Sequence, residues 1–312
     1  MWQLPVQQHS GNWDNAPDKD RVCTKHLLDD SCITIRYLKT HVKNGKRGEK
    51  VEKQGLHIDF KVAKQAFESY LDEYDREDDK IQLKIVHTYC VVDAAEEIAT
   101  RMHLREEDVQ LAKIIGLLHD IGRFEQIKRF HSFEPGTMDH AMYGADILFG
   151  PEQMIRRFVK DSSFDQLICV AIAKHSDFKL EGIEDKRTLL HARLIRDADK
   201  LDNCRVKLEE SMETLLDMDE KTVGASPISP KVWESCKAEE SVLSADRKTG
   251  MDYWMSYLAL YFDINFLETY QIIKEQDYIR RIAERVPYSR EDTKEKVAYT
   301  VKKLEEKMNI QP

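Results

Sequence analysis

Four polar side chains lie where the spacing of apolar residues predicts a buried position. His87 lies on the apolar stripe of a predicted helix, and His119 and Asp120 follow the most hydrophobic run of the chain. Asp199 lies on the inward face of another predicted helix. Burying an ionised carboxylate without a partner is very costly. Two imidazoles and two carboxylates can offset that cost by sharing a divalent cation.

The chemistry of these donors indicates which cation would suit them. Imidazole nitrogen and carboxylate oxygen suit iron, manganese, zinc or nickel. For each residue alone there is an alternative: a lone core histidine such as His87 is more often hydrogen-bonded than metal-bound, and Asp120 or Asp199 could cap a helix or pair with an arginine. The combination is more specific than any one of them, because the His119-Asp120 pair falls within the distinctive string Gly116–Arg123.

The segments that must position these residues have helical periodicity. Thr137 is predicted to be the N-cap of a helix that ends at Phe149, and the Ser229-Pro230 pair to be the cap and first turn of another. Residues 219–230 are predicted to form an exposed loop. No glycine-rich turn follows a strand, which argues against a nucleotide-binding parallel sheet. The sequence thus predicts an all-α fold, with further helices over 62–74, 80–101, 106–121, 164–175, 187–206, 251–286 and 291–308.

Composition limits the partners and the compartment. The chain of 312 residues has 48 Lys plus Arg and 57 Asp plus Glu, a net charge of -9, so it has no global attraction for nucleic acid or an anionic membrane. Its six cysteines form no C-x-x-C pair, which favours a reduced, cytoplasmic protein. Neither a signal peptide nor an apolar run near the ~20 residues of a membrane span is found.

Two regions are predicted. Residues 1–58 are interpreted as a partly disordered N-terminal extension, poorly ordered over residues 1 to about 20 and ambiguous over 21–58, and residues 59–312 as one helical domain. The aromatic residues between Trp254 and Tyr270 either pack internally or form a dimer face. Internal packing is favoured, and the oligomeric state stays open.

The order of the candidate residues points to a known family. His87 is followed by the string Leu118–Arg123, and then by Asp199 within Ala198–Asp202. Over about residues 80–205 this order resembles the HD superfamily of metal-dependent phosphohydrolases. The resemblance implies an HD-domain-like helical bundle with additional C-terminal helices and a central metal site. It implies that the ligands of the first metal are His87, His119, Asp120 and Asp199.

Two more histidines lie between the His119-Asp120 pair and Asp199. Superfamily members with two metals, such as the HD-GYP phosphodiesterases, carry extra histidines in comparable segments. The resemblance therefore implies that His140 and His175 are ligands of a second metal, with Asp120 bridging; core packing or substrate contact is the alternative. His175 is followed by Ser-Asp, without a second histidine or a Gly-Tyr-Pro string, so a cyclic-dinucleotide substrate is not supported.

The predicted activity is hydrolysis of a nucleotide or other small phosphate ester by a metal-activated water, with one or two divalent ions as cofactor. Asp120 is the predicted catalytic ligand. Arg123, about one helical turn beyond it, is the first candidate for both catalysis and substrate binding, since negative charge develops on the phosphoryl oxygens. Lys174 and Arg196 are weaker candidates for substrate binding, with a solvated helix face as the alternative.

Two other functions remain open. A small branch of the HD superfamily uses a mixed-valent di-iron centre to activate dioxygen, with ligands in the order His, His-Asp, His, His, Asp, and this chain reproduces that order. A non-catalytic regulatory module that binds a nucleotide is the third interpretation. The apparently complete ligand set argues against it, because a pure binding module does not need such a site.

Overall fold

The structure is a computed structural model that describes residues 59–134 and 136–309. This part of the chain is helical and contains no strand, which confirms the predicted all-α fold. The predicted N-terminal extension, residues 1–58, lies outside the described residues. The α-helices are α1 (Phe60–Leu71), α2 (Asp79–Arg101), α3 (Glu106–Leu118), α4 (Ile121–Phe130), α5 (His140–Phe149), α6 (Ile155–Phe158), α7 (Asp165–Ala173), α8 (Lys186–Glu209), α9 (Met212–Leu216), α10 (Glu220–Ala225), α11 (Pro230–Lys237), α12 (Gly250–Ala259), α13 (Leu267–Glu275), α14 (Tyr278–Glu284) and α15 (Glu291–Met308).

Aspartate side chains fix where several of these helices begin. Asp78 precedes α2, Asp139 precedes α5 and Asp185 precedes α8, and each carboxylate accepts backbone N–H groups of the first turn. Such caps satisfy donors that have no partner inside the helix. They set the register of three helices that carry candidate ligands.

The predicted N-cap at Thr137 is wrong. The helix begins two residues later than that cap implies, after Asp139. The Thr137 hydroxyl instead donates to the carbonyl oxygen of Glu134 at 2.7 Å and accepts from the Gln126 side chain at 2.7 Å. A threonine whose hydroxyl is engaged in a local turn is not free to cap a helix.

Helix α3 lies at the centre of the core. Ile114, Ile115, Leu117 and Leu118 are all fully buried, as expected for a helix that is apolar on every side. Helix α2 packs against both α3 and α8, and α7 packs against both α5 and α8. The helices that carry the candidate ligands therefore surround one region of the interior.

The C-terminal helices attach to α8 through a buried carboxylate. Asp197 accepts hydrogen bonds from the backbone N–H groups of Asn265 and Phe266 and from the Thr269 hydroxyl, each at 3.0 Å. These bonds explain why the helical stretch predicted over 251–286 is interrupted at residues 264–266, since the N–H groups there turn to Asp197 rather than continue a helix. In the described part of the chain, no helix combines the length and the apolarity that crossing a membrane requires.

The exposed loop predicted over 219–230 is also wrong in part. Residues 220–225 form helix α10, capped by the Asp219 side chain, and Val223 and Gly224 are buried. A Cβ at Gly224 would lie 2.3 Å from the carbonyl oxygen of Pro287, so the glycine marks a close tertiary contact rather than a flexible turn. Pro230 does begin α11, but the Ser229 hydroxyl donates to Asp252 at 2.6 Å instead of capping it.

Candidate metal centre

Asp120 lies between two pairs of imidazoles. It occupies the junction of α3 and α4, where its buried side chain does not cap the helix that follows. Its Oδ2 atom is 3.8 Å from His87 Nε2 and 3.6 Å from His119 Nε2. Its Oδ1 atom is 3.3 Å from His140 Nε2 and 3.6 Å from His175 Nε2. Each carboxylate oxygen thus faces its own pair of nitrogens.

Asp199 completes the first group. Its Oδ1 atom is 3.1 Å from His87 Nε2 and accepts a hydrogen bond from Asn203 Nδ2 at 3.1 Å. His87, His119 and Asp199 offer donor atoms that all lie within 4.8 Å of one another, and so do those of His119, Asp120 and His175. The structure therefore brings the residues of both predicted groups to one place.

Hydrogen bonds at Nδ1 direct the Nε2 atoms of the imidazoles toward this cluster. His119 Nδ1 donates to the carbonyl oxygen of Gly116, and His175 Nδ1 to that of Ile172, both at 2.8 Å. A carbonyl oxygen only accepts, so each Nδ1 carries the proton and each Nε2 of the neutral ring has a lone pair. His87 Nδ1 donates to Asp202 Oδ2 at 2.7 Å, which orients the third ring in the same way.

The Nε2 atoms provide the test of whether a metal fits. His119 Nε2 is buried and has no hydrogen-bond partner among the described residues. His87 Nε2 is 3.1 Å from Asp199 Oδ1 but likewise lacks a partner with hydrogen-bond geometry. Buried nitrogens left without partners are costly, whereas a shared cation would satisfy them. The donor set of imidazoles and carboxylates fits a divalent transition metal.

Burial and charge shift the pKa values of four predicted ligands toward the protonation states that bind a metal. His87 is the exception, because burial and repulsion from Lys84 are outweighed by Asp199 and Asp202, which raise its pKa. Burial lowers the pKa of His119 to about 4 and that of His140 to about 3, so both rings are neutral at pH 7. Burial alone would raise the pKa of Asp120, but Lys84 and the adjacent imidazoles outweigh it and hold that pKa well below its usual range. Burial likewise acts against the ionised form of Asp199, yet His87 lowers its pKa. Both carboxylates therefore stay ionised.

The comparison with known families agrees with this geometry. Residues 85–204 match the family model described as HD domain. This segment is an HD domain. The resemblance noted from the sequence is thereby confirmed, and the matched residues include all six predicted ligands. Searches of curated proteins and of solved structures found no match.

Arg123 of the HD domain faces the cluster. Its side chain is largely buried, its Nη2 atom donates to His140 Nε2 at 2.9 Å, and its Nε atom lies 3.8 Å from Asp120 Oδ1. Its Nη1 atom donates to the carbonyl oxygen of Phe133 at 3.2 Å. The guanidinium is thus held beside the second pair of imidazoles.

The other two predicted substrate-binding residues lie differently. Arg196 is buried, and its guanidinium donates to the carbonyl oxygen of His175 at 3.0 Å and to Asp263 Oδ2 at 2.8 Å. These contacts make Arg196 a residue that positions His175 rather than one that is free to meet a substrate. Lys174 is partly exposed and forms an ion pair with Asp177 at 3.2 Å.

Three residues at the site of the HD domain were not predicted from the sequence. Lys84 Nζ lies 2.7 Å from Asp120 Oδ2, Asp202 orients His87, and Asn203 donates to Asp199. Helical spacing gave a signal for all three. Lys84 precedes His87 by three residues, and Asp202 and Asn203 follow Asp199 by three and four, so each lies one turn from a ligand.

Proposed function

We propose that this chain is a metal-dependent phosphohydrolase that acts on a nucleotide or another small phosphate ester. The observation that supports it is Asp120, whose two oxygens face separate pairs of imidazoles. One or two ions of iron, manganese, zinc or nickel would be held by the six predicted ligands. A bound ion lowers the pKa of a coordinated water toward about 7 and so makes a nucleophile available at neutral pH.

The remaining chemistry belongs to the side chains around the ligands. Negative charge grows on the phosphoryl oxygens in the transition state, so fixed positive groups stabilise it. Arg123 and Lys84 both lie against Asp120, one on each oxygen, and both are largely removed from water. We infer that these two cations bind and orient the phosphoryl group, while Arg196 holds His175 in place.

The first test removes the central carboxylate. We expect Asp120→Asn to lower the metal content, because an NH2 group replaces one carboxylate oxygen and the negative charge is lost. Phosphate release from nucleoside monophosphates should slow by about a hundredfold or more. Metal analysis, phosphate assay and far-ultraviolet circular dichroism would be compared. Asp93→Asn, which makes the same charge change at an exposed position of α2, is the control. Full metal content together with full activity in Asp120→Asn would remove Asp120 from the mechanism.

A di-iron oxygenase is the second candidate, and a specific observation favours it. His140 and His175 lie 3.3 and 3.6 Å from Asp120 Oδ1, and this closeness supports a second metal beside the first, as in that branch. Metal analysis of protein purified without chelator would give identity and stoichiometry. Phosphate release under argon supports the hydrolase, whereas oxygen uptake that requires iron supports the oxygenase. Nucleotide binding after metal removal, without turnover, would indicate a regulatory module.

A further inference from the structure

Lys207 is a buried lysine without a carboxylate partner among the described residues. Only 7% of the residue is exposed. Its Nζ atom donates to Asn203 Oδ1 at 3.4 Å and lies 4.1 Å from the centre of the Tyr257 ring. Lys200, equally buried on the same helix, forms an ion pair with Asp263 at 2.6 Å. A buried ammonium group that lacks a counter-ion is costly, so its retention calls for an anion from elsewhere.

The Lys207 ammonium group lies on the same side of α8 as the predicted ligand Asp199. Asp199, Asn203 and Lys207 are spaced four residues apart on α8 and share one face. The Asn203 amide donates to Asp199 Oδ1 and accepts from Lys207 Nζ, which links the ammonium group to a predicted ligand. Long side chains on a helix lean toward its N-terminus, and for Lys207 this is the direction of Asp199.

Lys84 brings a second ammonium group to the same region. Its Nζ atom lies 2.7 Å from Asp120 Oδ2. Burial, and after it repulsion from Lys84, lower the pKa of Lys207 to about 8, which leaves Lys207 mostly charged at pH 7. The Asp199 side chain is 27% exposed, so solvent reaches this edge of the cluster. Two positive charges therefore flank an accessible edge of the metal centre.

We propose that Lys84 and Lys207 form a two-ammonium subsite that binds the dianionic phosphate of a phosphomonoester beside Asp120 and Asp199. The proposal rests on the proposed function in taking the substrate to be a phosphate ester. A phosphomonoester carries about two negative charges at pH 7 and has three free oxygens, whereas a phosphodiester carries one charge. Two ammonium groups therefore select the monoester, and the anion supplies the partner that Lys207 lacks.

The test compares a monoester with a diester as ligands. Titration calorimetry on metal-replete protein at neutral pH would use methyl phosphate and dimethyl phosphate. We expect wild-type protein to bind methyl phosphate about tenfold more tightly or better. Lys207→Met should weaken methyl phosphate binding by about tenfold, the loss expected for one charged hydrogen bond, and should change dimethyl phosphate binding less. Lys186→Met, which removes an exposed charge from the opposite end of α8, should leave both affinities unchanged.

Stability measurements separate loss of the subsite from misfolding. Lys207→Met removes an uncompensated buried charge, so the variant should melt at a higher temperature than the wild type in the absence of ligand. Added methyl phosphate should raise its melting temperature less than that of the wild type. Lys84→Met should weaken methyl phosphate binding independently. Unchanged methyl phosphate affinity in both variants, or equal affinity of the wild type for the two esters, would overturn the subsite. If binding follows the expectation while no phosphate ester is hydrolysed, the subsite stands and the hydrolase proposal fails.

Discussion

At the scale of single residues, the C-terminal ends of two helices orient His119 and His175 by the same kind of hydrogen bond. His119 directly follows α3, and each of His119 and His175 donates from Nδ1 to the carbonyl oxygen three residues earlier. Carbonyl groups in the last turn of a helix have no partner within the helix. The imidazole satisfies one of them, and this bond turns Nε2 toward Asp120. The local end of the helix thereby sets the direction of a ligand.

His87 lies within a helix and needs a different partner for Nδ1, which Asp202 supplies. We expect Asp202→Ala to weaken metal binding by about 10- to 100-fold, because the ring loses the acceptor that fixes its orientation. Competition with a chelator would measure the metal affinity. Glu209→Ala is the matched control, since Glu209 and Asp202 both pair with Arg205 but only Asp202 contacts His87. Equal metal affinity in the two variants would show that Asp202 does not position His87.

At the scale of helices, the crossing of α4 and α5 decides whether His140 reaches Asp120. A Cβ at Gly122 would lie 2.3 Å from the carbonyl oxygen of His140 and 2.7 Å from the backbone nitrogen of Gly144. Both contacts involve backbone atoms, which have little room to move. The absence of a side chain at Gly122 therefore lets α5 approach closely enough to place His140 beside the carboxylate.

Gly122→Ala tests this close approach. We expect it to lower the free energy of unfolding by about 1–3 kcal/mol, the usual cost of forcing extra atoms into a packed contact. It should also reduce metal stoichiometry, since His140 moves away from Asp120. Chemical denaturation and metal analysis would measure the two effects. Gly136→Ala, where an added Cβ meets no atom within 4 Å, should change neither. A Gly122→Ala protein with normal stability would mean that the two helices can separate at little cost.

At the scale of the whole molecule, α8 joins the metal centre to the C-terminal helices. Asp199 faces the imidazoles, while Asp197, two residues earlier, accepts hydrogen bonds from residues 265–269. Arg196 and Lys200 both pair with Asp263 on the same side. The C-terminal helices thus fix the rotation of α8, and with it the direction in which Asp199 and Lys207 point.

The buried charge of Lys207 should appear in the pH dependence of global stability. Its pKa is about 8 in the folded protein against an ordinary value of 10.5, so between these pH values the unfolded chain binds the proton and the folded chain does not. Stability rises with pH wherever the unfolded state binds more protons. From pH 8 to 10.5 the free energy of unfolding of the wild type should therefore rise relative to that of Lys207→Met, by on the order of 3 kcal/mol in total.

Denaturation of both proteins across this pH range, at a fixed metal concentration, would measure the difference. Lys186→Met again serves as the control, because its exposed ammonium group is solvated in both the folded and the unfolded states. Its difference from wild type should stay constant with pH. Parallel curves for wild type and Lys207→Met would show that the Lys207 ammonium group is not held in a low-dielectric environment.

The sequence by itself determined the features that are local. Periodic apolar residues identified the helices, and polar residues at buried positions identified four candidate ligands, His87, His119, Asp120 and Asp199, because an unpartnered charge in a core is costly. The order of these residues sufficed to indicate the HD superfamily. His140 and His175 were added as what the family resemblance implies. Prediction failed at Thr137 and over 219–230, where hydrogen bonds and close contacts with other segments overrode the local preference.

Only the tertiary structure decided which atoms meet. The sequence placed Arg196 among the substrate contacts, whereas the fold engages its guanidinium with His175 and Asp263. Helical spacing places Lys84 one turn from His87, but the sequence does not show that Lys84 or Lys207 is buried, since a lysine on a helix is ordinarily solvated. Burial and the lack of a carboxylate partner distinguish Lys207, and these depend on distant segments that pack together. Helical spacing places a side chain on a face, but what lies opposite that face is set by contacts far apart in the chain.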